Sequence, residues 1–120
     1  GRARARVARA RAALETADSI LLVVNEDIPA LHDAKRSIKV MEALNLQDKV
    51  KLVVNKEGIS TIKVKNIASL LDSAPVLVIP YDLKASMVAV NRGIPLLNCA
   101  PNSKASMAIR TYARNMIRRV

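Results

Sequence analysis

The sequence predicts an α/β fold in three layers: a parallel sheet of three strands with flanking helices. Two observations carry this expectation. The runs "SILLVVN", "VKLVVN" and "APVLVIP" are β-branched and aliphatic throughout, as strands covered on both faces should be. Between them, apolar residues recur every three or four positions, which is helical spacing. Strands alternating with helices imply parallel pairing through right-handed crossovers.

Each element has its own signal. The opening "GRARARVARARA" reads as an Arg/Ala-rich helix over residues 1–17, set apart from a unit spanning 18–120. Arg2, Arg6 and Arg9 share one helical face, whereas Arg4 and Arg11 fall elsewhere, so no clean amphipathic stripe results. The first strand covers Ser19 to Asn25. Asp27 is placed to cap the next helix, and Pro29 suits its first turn. In "ALHDAKRSIKVMEAL", Leu31, Ala34, Ile38, Met41 and Leu44 form a buried stripe, while His32, Lys35, Arg36 and Lys39 face away. The second strand, Val50 to Asn55, leads through a glycine-bearing loop into "STIKVKNIASLLD". There Val64, Ile67, Ala68 and Leu71 fit a helix, although β-branched residues weaken it. Pro80 ends the third strand because proline cannot continue a central ladder. Asp82 caps "LKASMVAVNR", and Gly93 stops it. "IPLLNCAPN" reads as a loop. Ser103 caps a last helix whose stripe is Met107, Ile109, Tyr112, Met116 and Ile117.

Composition narrows the function. A chain of 120 residues is one small domain, and 51% apolar content excludes wholesale disorder. The only aromatics are Tyr81 and Tyr112, which counts against modules that stack bases on aromatic platforms. The single cysteine, Cys99, cannot form an intrachain disulfide and points to a reducing compartment. With His32 on a different element, Cys99 reads as a packing residue rather than a nucleophile. "ILLVV" is too short to span a membrane. Neither H-E-x-x-H nor C-x-x-C occurs.

The net charge of +10 is unevenly placed, with five arginines in "GRARARVARARA" and four in "IRTYARNMIRRV". The candidate polyanion-binding residues are Arg2, Arg4, Arg6, Arg9, Arg11, Arg114, Arg118 and Arg119. They could neutralise DNA phosphates or anionic lipid headgroups, with strong salt dependence. The alternative is a solvated Ala–Arg helix. The start also has the Arg-rich, acid-poor composition of a transit peptide, against which the acidic "ETAD" and the leading glycine weigh. With no initiator Met, the chain is expected to be either trimmed or a fragment.

In parallel sheets, ligands bind beyond the carboxyl ends of the strands. Asn25, Asn55 and the corner Pro80–Tyr81–Asp82 all fall at those ends, so they line one rim.

The wording of the chain adds to this. "LLVVNEDIPALHDAKRSIKVMEAL", "KLVVNKEG" and "VLVIPYDLKASMVAVNRGIPLLNCAPNSKASMAIRTYA" resemble the carboxyl-terminal half of the MinD/ParA superfamily of deviant Walker A P-loop ATPases. Within it, the wording looks like that of the CpaE/TadZ-like proteins of type IVb (Tad/Flp) pilus assembly. The resemblance covers about residues 14–118 and rests on the strand–Asn–Lys pair, the I-P-x-D corner and N-R-G-x-P-L, in that order. It implies a partial P-loop NTPase-like, or Rossmann-like, domain. It also implies that Asn55 contacts the adenine of ATP, with Lys56 beside it. Pro80, Tyr81 and Asp82 would offer backbone groups to the same base, with Leu83 and Lys84 as weaker candidates. On the residues alone, Asn55 would satisfy strand-end backbone groups and Asp82 would cap a helix.

The departures matter as much. The family's phosphate chemistry lives in an amino-terminal glycine-rich loop, but the glycines here are Gly1, Gly58 and Gly93, and no G-x-x-x-x-G-K-[ST] occurs. The carboxylates Glu26, Asp27 and Asp82 have nothing to orient a nucleophilic water beside them. The chain is therefore expected to hold ATP only by its adenine and not to hydrolyse it alone; magnesium belongs to the intact parent. The strand over 20–25 would lack its inner neighbour, leaving an edge for the N-terminal half of the ATPase or for a second copy, and a homo-oligomer is expected. Alternatively, the arginine helix covers the exposed face. The expected location is cytoplasmic or peripheral at the inner membrane. Two other readings compete: a non-enzymatic basic module binding DNA or an anionic membrane surface, and a flavodoxin-like or receiver-like domain. The last lacks the strand-ending aspartates of a phosphoacceptor.

Overall fold

Strand-forming runs and capped helical stripes give the expected alternation in a computed structural model, which describes residues 1–118. The elements are α1 (Arg2–Thr16), β1 (Ile20–Asn25), α2 (Ile28–Ala43), a 3₁₀ turn (Gln47–Lys49), β2 (Val50–Glu57), α3 (Val64–Leu71), β3 (Pro75–Pro80), α4 (Leu83–Arg92), α5 (Leu96–Cys99) and α6 (Lys104–Arg118). The strands lie side by side in the order β1-β2-β3, both pairings parallel. Leu22 pairs with Leu52, Val24 with Val54, and Asn25 with Asn55. Between β2 and β3 the register slips: Val54 faces Val78, yet Glu57 faces Pro80. β2 therefore carries an extra residue at its end, a bulge that re-aims the backbone there.

Helix ends follow their capping residues. Asp27 Oδ1 accepts the Ala30 N–H at 2.7 Å, with Pro29 in the first turn of α2. Gly93 closes α4 at φ +66°, a left-handed conformation that costs glycine nothing. Ser103 Oγ accepts the Ser106 N–H at 3.1 Å at the start of α6.

One face of the sheet holds the core. Leu22, Val24, Leu52 and Val54 pack under Leu31 and Ala34 of α2 and Ile67 and Leu71 of α3. Each large side chain buried there contributes about 1.5–3 kcal/mol. The opposite face is covered unevenly, because α6 lies against β3. Val53 is buried, whereas Val23, its register partner on β1, is 57% exposed, and Leu21 is exposed too. Cover on both faces thus holds for β2 and not for β1. The amino-terminal helix does not supply the missing cover, since α1 buries none of its residues.

Three expectations need correction. β2 continues two residues beyond Asn55, because its turn comes only at Gly58. The loop before Ser103 contains a helical turn, α5, entered through Pro95. The stripe of α6 is displaced: Ala105 and Ser106 are buried, while Met107, Met116 and Ile117 are exposed. Small residues let α6 approach β3 closely. The Ser106 hydroxyl, fully buried, is satisfied by Ser103 Oγ at 2.9 Å, so its polarity is no obstacle. No helix among the described residues is long and apolar enough to cross a membrane.

Candidate functional site

The carboxyl ends of the strands form the rim. Asn55 Nδ2 donates to Asn25 Oδ1 at 3.2 Å, tying the last paired residues of β1 and β2. The end of β2 runs into a tight turn at Gly58. Lys56 has φ +56°, Gly58 has φ +94°, and the Ile59 N–H closes onto the Lys56 carbonyl at 3.3 Å. A type II turn requires a positive φ at its third position, which explains Gly58. Lys56 has no such freedom, and a left-handed residue with a side chain costs about 1–2 kcal/mol.

Two neighbours hold this turn. Glu26, only 4% exposed, accepts the Gly58 N–H on Oε1 at 2.9 Å. The Tyr81 N–H donates to the Glu57 carbonyl at 2.9 Å. The ends of all three strands are thereby tied together, and the Asn55–Lys56 segment is fixed between them.

The structure gathers Asn55, Lys56, Pro80 and Tyr81 at this rim, with Lys56 exposed and the other three half-buried. Asp82 follows Tyr81 directly and caps the next helix. Its Oδ1 accepts the Ala85 N–H at 3.0 Å, which is helix capping, and it lines a shallow hollow of about 370 Å³ with Lys84, Cys99, Asn102 and Ser103. Leu83 and Lys84 are exposed in the first turn of α4. Cys99 is half-buried, and His32 is exposed. Among the described residues, no group of three or more His, Cys, Asp or Glu side chains is placed to hold a metal ion, so no step is assigned to magnesium here.

The charged candidates belong to α1 and α6 rather than to the strand ends. Arg2, Arg4, Arg6, Arg9 and Arg11 are exposed along α1, and Arg11 pairs with Glu15 at 2.8 Å. The Lys49 ammonium reaches the Glu15 carbonyl at 2.7 Å, a direct link from α1 to the body of the domain. Arg114 is exposed on α6; Arg119 and the side chain of Arg118 lie outside what the structure describes.

Sequence reasoning weighs Glu26 only as a carboxylate with no water to orient, and misses its bond to the Gly58 turn. Its signal was indirect: two parallel strands ending in Asn25 and Asn55 place residue 26 beside residues 56–58, where a glycine turn needs an acceptor.

No family model matches the chain. It is 32% identical over 111 residues to the chloroplastic MinD homolog of Arabidopsis thaliana, a septum site-determining protein, across 88% of this chain and 33% of that one. An uncharacterized ATP-binding protein of Methanocaldococcus jannaschii is 30% identical over 107 residues, across 88% and 40%. Among solved structures, the MinD cell division protein of Aquifex aeolicus superposes with a TM-score of 0.73 at 28% identity, over 88% of this chain and 46% of that one. The chain thus spans between a third and just under half of the length of these relatives.

Proposed function

We propose that this chain, similar in sequence to a MinD homolog and superposable on a MinD structure, is the adenine-holding part of a MinD/ParA-type P-loop ATPase. The observation that carries this reading is the rim: Asn55, fixed by Asn25, stands beside a turn bonded to the backbone of Tyr81. Asn55 offers an amide to the purine edge, Lys56 lies alongside, and the Pro80–Tyr81–Asp82 corner presents backbone groups. The phosphates and magnesium would be handled by the N-terminal half of the ATPase or by a second copy, and this chain alone would not hydrolyse ATP. The intact protein would act in the cytoplasm or peripherally at the inner membrane. Its process would be pilus assembly of the CpaE/TadZ type or polar and cell-division positioning.

The test is binding of a fluorescent, non-hydrolysable ATP analogue. Asn55→Ala is expected to weaken binding roughly tenfold, the scale of one hydrogen bond to a buried edge. Unchanged affinity in that variant would overturn the assignment.

A further inference from the structure

Glu26 is a buried carboxylate that the adenine reading does not use. Burying a carboxylate is costly unless it is bonded or paired. The ion pairs among the described residues are Arg11–Glu15 and Arg36–Asp33, neither of which involves Glu26. Its recorded bond is to the N–H of Gly58, a residue 32 positions away in the chain. An apolar side chain would fill the same space more cheaply but would leave that N–H without its acceptor. The turn it holds is also the one that keeps Lys56 left-handed at φ +56°. Such strained residues persist only where their surroundings over-determine them. Glu26 from the β1 end and Tyr81 from the β3 end supply that constraint from two sides.

We infer that Glu26 is a positioning residue: it pins the Lys56–Gly58 turn to the end of β1, so that Asn55 and Lys56 are presented at the rim in a single arrangement. The inference rests on the adenine reading for its purpose, though not for its geometry. Glu26 touches no base. Its carboxylate accepts one backbone proton donor and thereby fixes the backbone of its neighbours.

Amide hydrogen exchange on the full chain, followed residue by residue, tests the pin directly. In Glu26→Ala, the Gly58 amide should exchange roughly tenfold faster, while the β2 amides at Leu52, Val53 and Val54 keep their protection. In Glu26→Gln, whose amide oxygen can still accept, Gly58 should stay protected. Affinity for the ATP analogue should fall roughly tenfold in the alanine variant and be retained in the glutamine variant. Unaltered Gly58 exchange in Glu26→Ala overturns the proposal. So does loss of β2 protection along with Gly58, which would make Glu26 a general core residue, and so does equal loss of affinity in both variants. If the unaltered chain binds no analogue, the adenine reading fails while Gly58 exchange still decides whether the pin exists.

Discussion

Asn55 and Asn25 occupy the same level on adjacent parallel strands, and the side chain of one donates to the other across 3.2 Å. Asn55 therefore does two things at once: it satisfies a strand-end neighbour and is held by it in one rotamer. Asn25→Ala removes the acceptor without touching the rim face of Asn55. We expect a loss of stability of about 0.5–1.5 kcal/mol, measured by urea denaturation. The weakening of ATP-analogue binding should be smaller than that caused by Asn55→Ala. Equal weakening would mean that Asn25 itself contacts the base.

Ile67 reports on the covered face of the sheet. It is fully buried between α3 and the strands, so Ile67→Ala should cost about 2–5 kcal/mol through lost transfer energy and a residual cavity. Val90→Ala, on the exposed side of α4, should stay within about 0.5 kcal/mol. Denaturation midpoints of the two variants compare them directly. Similar midpoints would show that α3 is not part of the cooperative unit.

Asp82 can be separated into cap and ligand. Asp82→Ala removes the acceptor for the Ala85 N–H and should cost about 1 kcal/mol, whereas Asp82→Asn retains capping. If the corner contributes to adenine only through its backbone, Asp82→Asn binds the ATP analogue as the unaltered chain does. A loss in Asp82→Asn would place the carboxylate itself against the ligand.

The exposed arginines make a prediction of a different kind. Arg2, Arg6 and Arg9 lie on one face of α1 and Arg4 and Arg11 on the other, all exposed on a helix that buries none of its residues. Replacing all five with Gln should leave the denaturation midpoint of the domain within about 0.5 kcal/mol of the original. If this helix binds DNA, the logarithm of affinity should fall with the logarithm of salt by about 0.9 per phosphate neutralised, and the Gln variant should lose that slope. A slope unchanged in the variant would move the contact elsewhere.

What the sequence made legible follows from how local each signal is. The strands and caps were readable because Val, Ile and Leu runs, Asp27, Asp82, Gly93 and Ser103 act within a few residues of themselves. The face of α6 was misread because its burial is decided by β3, about thirty residues earlier, and by the Ser103–Ser106 pair that makes a buried serine acceptable. The bond from Glu26 to the Gly58 turn was hidden for a related reason. A glutamate after a strand looks like solvent-facing polarity until the register of β1 on β2 brings Gly58 to it.

That same register isolates the exposed flank of the sheet. Val23 and Val53 are partners in the ladder, yet Val53 is buried while Val23 stays open on β1, an edge strand that among the described residues pairs with β2 alone. An apolar, unpaired edge of this kind associates with other chains. The chain alone should therefore sediment as a concentration-dependent oligomer in analytical ultracentrifugation. Val23→Lys puts a charge on that face where the valine was not stabilising the core, so it should shift the chain toward monomer without lowering its denaturation midpoint. If the unaltered chain sediments as a monomer with a sharp melt, the edge needs no partner. If Val23→Lys destabilises the fold, the face is closed in solution by an element of the chain itself.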